Sequence, residues 1–307
     1  MAAAPATSPS AKRNRRNASS RLIAAVLGLA LGTILAGPAA ADENAVARGA
    51  YLAAAAGCDQ CHTDSKNGGA PYAGGRQLET AFGTIVTPNI TSDMATGIGG
   101  WSEIDFVRAM RWGIAPDGTH YVPAFPFPYF SGLSDGDLAD LKAFLDGLAP
   151  MAQPRVAGPQ SLALLARARA AIGVAVAANT ASPPIQGDRV LARGQYLVET
   201  VGHCGDCHTP RAWFGAPDLG RYLAGSHGGL EGEKAPNITP DPKTGIGNWS
   251  EDEIVSLLKD GGTPDGDFVG GSMAEIVRNT GRLTDDDRHA MADYLKTIPS
   301  KAFAKKN

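Results

Sequence analysis

Two short stretches hold all four cysteines of the chain: "GCDQCHT" at 57–63 and "HCGDCHT" at 203–209. Each sets Cys, two residues, Cys and then His, giving Cys58, Cys61 and His62 in the first and Cys204, Cys207 and His208 in the second. Thiols three positions apart share one helical turn. Both can form thioethers to the vinyl groups of a porphyrin while the adjacent imidazole offers a nitrogen to the iron. That is the attachment chemistry of covalently bound haem c, and its repetition predicts two such groups. Two other chemistries use paired cysteines. A zinc shared by both pairs would need neither histidine, and structural zinc pairs sit much closer in sequence than the roughly 150 residues between these. A thioredoxin-like redox pair needs one motif in a strand–helix–strand setting, which neither flank offers.

The sixth position on each iron separates electron carriage from substrate chemistry. In the second half Met273, in "DFVGGSMAEI", lies between the helix starting near Trp249 and the closing helix, where the chain should cross the open porphyrin face. A thioether there holds Fe(II) well and raises the reduction potential. Met291 is expected in the core, since it shares a helical stripe with Tyr294, Leu295 and Ile298. Counting on from the shared "PDG", the first half has Phe125, in "HYVPAFPFPYF", where the second has Met273. Phenylalanine cannot bind iron. His120, five positions earlier, is the first candidate in its place, with Tyr121, Met94, Met110 and an open or water-bound iron as alternatives.

The elements that must hold these groups come as a repeat. "RGAYL" at 48–52 returns as "RGQYL" at 193–197, and "TPNITSDMATGIGGWSEIDFVRAMRWGIAPDG" at 87–118 returns without a gap as "APNITPDPKTGIGNWSEDEIVSLLKDGGTPDG" at 235–266. Each unit closes on a similar segment, "LSDGDLADLKAFLDGL" or "LTDDDRHAMADYLKTI". Self-similarity of this kind marks duplicated structural units. Helix starts are signalled by a hydroxyl three residues before an acid: Ser102 with Asp105, Ser134 with Asp137, Ser250 with Glu253, Thr284 with Asp287. After Ser134 the residues Leu138, Leu141, Leu145 and Leu148 recur at helical spacing. No alternating strand pattern appears, and Gly and Pro crowd the long loops. The expected fold class is all-α, with a haem domain at 42–150, an Ala/Pro-rich linker at 151–187 and a second haem domain at 188–307. Within the linker "SLALLARARAAIGVAVAA" has helix-forming composition, yet Arg167 and Arg169 interrupt it and argue against a membrane span.

Residues 1–41 read as a secretory signal peptide. Five basic and no acidic residues precede the apolar run "LIAAVLGLALGTILAG", and Ala39-Ala40-Ala41 suits cleavage before Asp42. Export to the periplasm is therefore expected, with no stable membrane span after cleavage. The remaining chain carries 23 basic and 31 acidic residues, a net charge of −8. That balance argues against nucleic acid as a partner.

The repeated "PNIT", "TGIG" and "WS" pieces, the leading "RG" and "YL", and the "YVPAFPFPYFSGLSDGDL" loop resemble the multihaem cytochrome c subunits of periplasmic alcohol and gluconate dehydrogenases, over nearly all of 44–300. The resemblance implies two tandem class I-like cytochrome c domains. It implies electron transfer from a periplasmic dehydrogenase, through two covalently bound haem c groups, to a cytochrome or oxidase. In that family the loop commonly reads "YPAMPY" with its Met as axial ligand, a place that Phe125 takes here. Cys58, Cys61, Cys204 and Cys207 would anchor the porphyrins, and His62, His208, Met273 and His120 would bind iron. Asn89, Asn237, Trp101 and Trp249 recur at matching places and are candidates to hydrogen-bond propionates, with core filling the alternative for each Trp. Arg76 and Arg221 either pair with propionates or stand in solvent. The competing functional reading is a dihaem enzyme of peroxidase or thiosulfate dehydrogenase type, using an open or labile first haem.

Overall fold

The fold is built twice from the same local rules. In the first half α1 (Glu43–Ala55) starts at Asp42, whose carboxylate accepts the Asn44 amide, and α2 (Cys58–Cys61) is a single turn. After a long loop come α3 (Glu103–Trp112), α4 (Phe127–Phe130) and α5 (Asp135–Asp146). The second half has α6 (Arg189–Gln195), which continues as a π-helical segment through Tyr196–Val201, then α7 (Gly205–His208), α8 (Glu251–Asp260), α9 (Gly271–Thr280) and α10 (Asp285–Thr297). This description rests on a computed structural model and covers residues 42–80, 83–121, 124–156, 183–211, 216–228 and 232–303. The signal peptide and the helix-forming piece of the linker fall outside them.

Among the described residues the all-α expectation meets one exception. Strands β1 (Gln77–Thr80) and β2 (Gly83–Val86) form an antiparallel hairpin in the first half, with Gln77 opposite Val86. Four residues are too few for an alternation to show in the sequence.

The "RG" and "YL" repeat has a clear structural meaning. The glycines let two helices touch backbone to backbone: a Cβ on Gly49 would lie 2.0 Å from the Asp140 carbonyl oxygen, and one on Gly194 would lie 1.9 Å from that of Ala290. So α1 packs directly on α5, and α6 on α10. Arg48 forms a two-point pair with Asp140 at 2.5 and 2.8 Å, while Arg193 does so with Asp287 at 2.9 and 2.7 Å. Leu52 and Leu197 enter the core, as do Leu138, Leu141, Met291 and Leu295 on the closing helices. Each fully buried leucine contributes about 1.5–3 kcal/mol relative to exposure. The core runs without a break through both halves, and Ala41–Asn307 forms one compact unit.

The tyrosine of the motif crosses to the other half. Ser102 and Ser250 make the full capping box, their hydroxyls and the acids three residues on satisfying each other's amides. Ser134 and Thr284 keep only the hydroxyl part. There the missing acceptor is a tyrosine: Tyr196 Oη accepts the Ser134 amide at 3.1 Å and donates to Asp137 at 2.5 Å. Tyr51 Oη likewise accepts the Thr284 amide at 3.1 Å and donates to Asp287 at 2.6 Å.

Candidate functional site

Both cysteine motifs fold into the single turn that their spacing predicts. Gly57, at φ 65°, leads into the first turn, and the amide of His62 closes it on the Cys58 carbonyl at 2.9 Å. The His208 amide does the same with Cys204, also at 2.9 Å. In the second motif the leading residue is His203, held at φ 38°, a region that disfavours side chains but that His visits more readily than most.

Each motif histidine is oriented by a backbone carbonyl. His62 Nδ1 lies 2.7 Å from the Pro88 oxygen and His208 Nδ1 lies 2.7 Å from that of Pro236. A carbonyl oxygen only accepts, so Nδ1 carries the proton and Nε2 keeps its lone pair, the tautomer that iron requires. Burial pushes both imidazoles below their ordinary pKa and keeps them neutral, against a small opposing pull from the carbonyls. Loss of water around the Cys58 and Cys204 sulfurs pushes each thiol up to about 12. None of the four cysteines is joined in a disulfide. Among the described residues no three Cys, His or acidic side chains gather as a metal cluster, so the two pairs do not converge on a zinc site. Two thiols on one turn, followed by an imidazole locked with its Nε2 lone pair available, fit covalent attachment of a porphyrin at each motif.

The two prolines are the first residues of the repeated "PNIT". Their carbonyl role was hidden, because any residue type supplies a carbonyl. The asparagines that follow do something other than expected. Asn89 Nδ2 donates to Thr96 Oγ1 at 3.0 Å and to the Met151 carbonyl at 2.6 Å, and its Oδ1 accepts from the Thr91 amide and hydroxyl. Asn237 repeats the set with Thr244, the Lys301 carbonyl and Thr239. Both amides are committed to protein groups, fixing the loop and the chain that leaves each closing helix, so they are not propionate donors. Trp101 and Trp249 pack against the core. Arg221 pairs with Asp218 at 2.8 Å, whereas Arg76, only 7% exposed, bonds Glu275 and the Gln60 carbonyl.

On the distal side the halves stay in register, then part. Ile114 bridges His120 as Gly262 bridges Phe268, and the amides of Tyr121 and Val269 reach the carbonyls of Gly113 and Gly261 at 2.7 and 3.0 Å. His120 therefore stands at the place of Phe268. Further on, Gly113 backs onto Phe127 as Gly261 backs onto Val277, so 122–126 must do the work of 270–276 and the first half is two residues short. Counting from the front pairs Met273 with Phe125, and counting from the back pairs it with Pro123. Neither binds iron. Met273 is half-buried in the first turn of α9. Phe125 joins an aromatic row, its ring 5.6 Å from Tyr121 and 5.7 Å from Phe130, which in turn meets His203 edge-on at 5.3 Å. Of the alternatives, Met94 is 74% exposed and Met110 lies in the core. Burial raises the Tyr121 phenol to about 12, which keeps it protonated. His120 is half-buried, and its Nδ1 is enclosed without a hydrogen-bond partner.

Paired helical halves, each with a Cys-x-x-Cys-His turn and a carbonyl-locked imidazole, define a protein built to hold porphyrin iron covalently. The cytochrome c family model matches residues 46–149 and again 191–299. The chain belongs to the cytochrome c family, and its cofactor is covalently bound haem c. It is 40% identical over 299 residues to a dihaem cytochrome c-type protein of Cereibacter sphaeroides, covering 93% of this chain and 99% of that one. It is 40% identical to the cytochrome c subunit of gluconate 2-dehydrogenase from Pantoea cypripedii and 39% identical to that of the quinone alcohol dehydrogenase from Gluconobacter oxydans. Those alignments cover 91% and 85% of this chain but 66% and 56% of the relatives, so the chain spans well short of their full length. No helix among the described residues is long and apolar enough to cross a membrane.

Proposed function

We propose that the chain is a periplasmic dihaem cytochrome c that takes electrons from a partner dehydrogenase and passes them to a terminal acceptor, a cytochrome or an oxidase. The domains are 42–150 and 188–307, each carrying one haem c: Cys58, Cys61 and His62 hold the first, Cys204, Cys207 and His208 the second. The observation that carries the reading is the duplicated proximal geometry, His62 on Pro88 and His208 on Pro236 at the same 2.7 Å. Identical fixing of two imidazoles is what two permanently ligated irons need, since a second-shell acceptor sets ring orientation and ligand basicity.

Met273 closes the second iron and His120 the first. The bound groups supply one-electron chemistry; the chain contributes ligation, exclusion of water and a fixed spacing between sites. Support for a dehydrogenase donor comes from the names of the gluconate and alcohol dehydrogenase subunits to which the chain is similar.

The test is a haem count per chain on the purified protein, followed by low-temperature EPR of the oxidised form with and without cyanide, peroxide and thiosulfate. Two haems with two low-spin signals and no ligand binding are expected, together with reduction by a sugar or alcohol dehydrogenase. One haem per chain would overturn the dihaem reading. A high-spin signal that shifts with peroxide or thiosulfate would replace the carrier with an enzyme.

A further inference from the structure

Helix α9, which carries Met273, does not rest on its own half alone. Arg76 of the first half donates from one guanidinium nitrogen to the Gln60 carbonyl and to the Glu275 carboxylate, each at 2.7 Å. Gln60 lies inside the first Cys-x-x-Cys turn, and Glu275 lies two residues beyond Met273. Arg282, just past the helix, stands 3.3 Å from Asp59 of that same turn. A Cβ on Gly57 would lie 3.6 Å from Asn279 Nδ2 near the helix end. Within its own half α9 is held at its start by Glu233, which accepts the Ser272 amide at 2.9 Å.

The spacing of Met273 and Glu275 gives the contact its meaning. Two residues on an α-helix are separated by about 200° around the axis. When Glu275 faces the first half, Met273 faces the opposite way, into the second. The side chains of Arg76 and Glu275 are only 9% and 21% exposed, so the pair is weakly screened and fixes direction as well as charge.

We propose that Arg76 and Glu275 are positioning residues for the second iron: the first half sets the rotation of α9, and through it the bond between Met273 and that iron. The inference rests on Met273 being the axial ligand. Its consequence is that the two haem sites are linked through protein, because the residue that steers the second iron's ligand also holds the turn that attaches the first porphyrin.

The test compares Met273→Ala, Arg76→Met, Glu275→Gln and the double variant of the last two as ferric holoproteins. Two signals are read: the far-red charge-transfer band of methionine-ligated haem, and the affinity for added imidazole. Met273→Ala must abolish the band; a band that survives shows that Met273 is not the ligand, and the inference falls with that reading. With the band lost in Met273→Ala, the expected result is a weakened band in both single variants and imidazole binding about tenfold tighter. The double variant should be no worse than either single one, and the EPR signal of the first haem should persist. A full band and wild-type imidazole affinity in Arg76→Met and Glu275→Gln would overturn the inference while leaving the ligand assignment standing. Glu275→Gln keeps the size and an acceptor oxygen, so it reports even if Arg76→Met fails to fold.

Discussion

The two halves agree on the proximal side of each motif almost atom for atom and disagree on the distal side. The proline carbonyl, the asparagine staple and the glycine at the helix crossing each occur twice with near-identical distances. Beyond Tyr121 and Val269 the likeness stops: α9 has ten residues and offers a thioether, while α4 has four and offers phenylalanines. Duplication has thus kept the cysteine turn with its carbonyl-held imidazole and varied the segment that follows Tyr121 and Val269. On the proposed ligation, the difference teaches that attachment and redox tuning are separable in this fold. The first is a matter of local turn geometry, whereas the second is left to a loop free to change length.

The sharpest break of that symmetry is at the proximal ligand. Replacing His62 or His208 by Ala should each remove low-spin ligation at one site only, seen as loss of one EPR signal; loss of both together would show that the halves do not bind independently. Next in size, Phe125→Met should make the first half resemble the second. It is expected to raise the lower of two potentials by on the order of 0.1 V, within the range of about 0.8 V that axial ligands span. Redox titration checks this, and an unchanged pair of potentials would mean that the side chain at 125 does not reach the iron.

Two smaller changes probe the scaffold. Gly49→Ala and Gly194→Ala should cost about 1–3 kcal/mol each, since both drive a methyl into a backbone carbonyl. Denaturant unfolding should show near-equal losses if the helix crossings are equivalent. Arg193→Ala should destabilise more than Arg48→Ala, because Asp287 takes the Arg193 pair and the Tyr51 hydroxyl, whereas Asp140 takes Arg48 alone among these groups. Burial pushes the Asp287 carboxyl up, but the bonds from Arg193 and Tyr51 outweigh it and the net pKa is lowered. A carboxylate depressed on folding stabilises fully above the ordinary Asp range and loses that contribution as pH falls through the folded value. Removing Arg193 should therefore shift the onset of acid unfolding to higher pH, as followed by helical circular dichroism.

Much of this was legible in the residues. The shared turn of Cys58 with Cys61 and of Cys204 with Cys207 is legible because a spacing of three sets both members of a pair on one turn, and the four hydroxyl starts mark helices through a local bond. The leucine stripe after Ser134 reached the core as its period required. What stayed hidden depends on contacts between distant segments or on groups common to every residue. Pro88 and Pro236 act through carbonyls. Asn89 and Asn237 looked like ligand-facing polar groups and turned out to bind chain that follows much later, Met151 and Lys301. The two-residue shortfall before Phe127 appears only when both ends of the loop are fixed, since counting from one end alone always yields a partner. Arg76 could not be paired with Glu275 by any pattern at a separation of 199 residues.

The exchanged tyrosines carry one more consequence. Each half lends the other the group with which its last helix begins, so neither possesses a finished start by itself. A half cut free of its twin would face water with an unmet amide at Ser134 or Thr284 and an acid without its tyrosine. Melting should accordingly run as a single cooperative event rather than two. The duplicated unit has in this sense ceased to be a repeat: it has become two interdependent parts of one object, each unable to be shed without loosening the other.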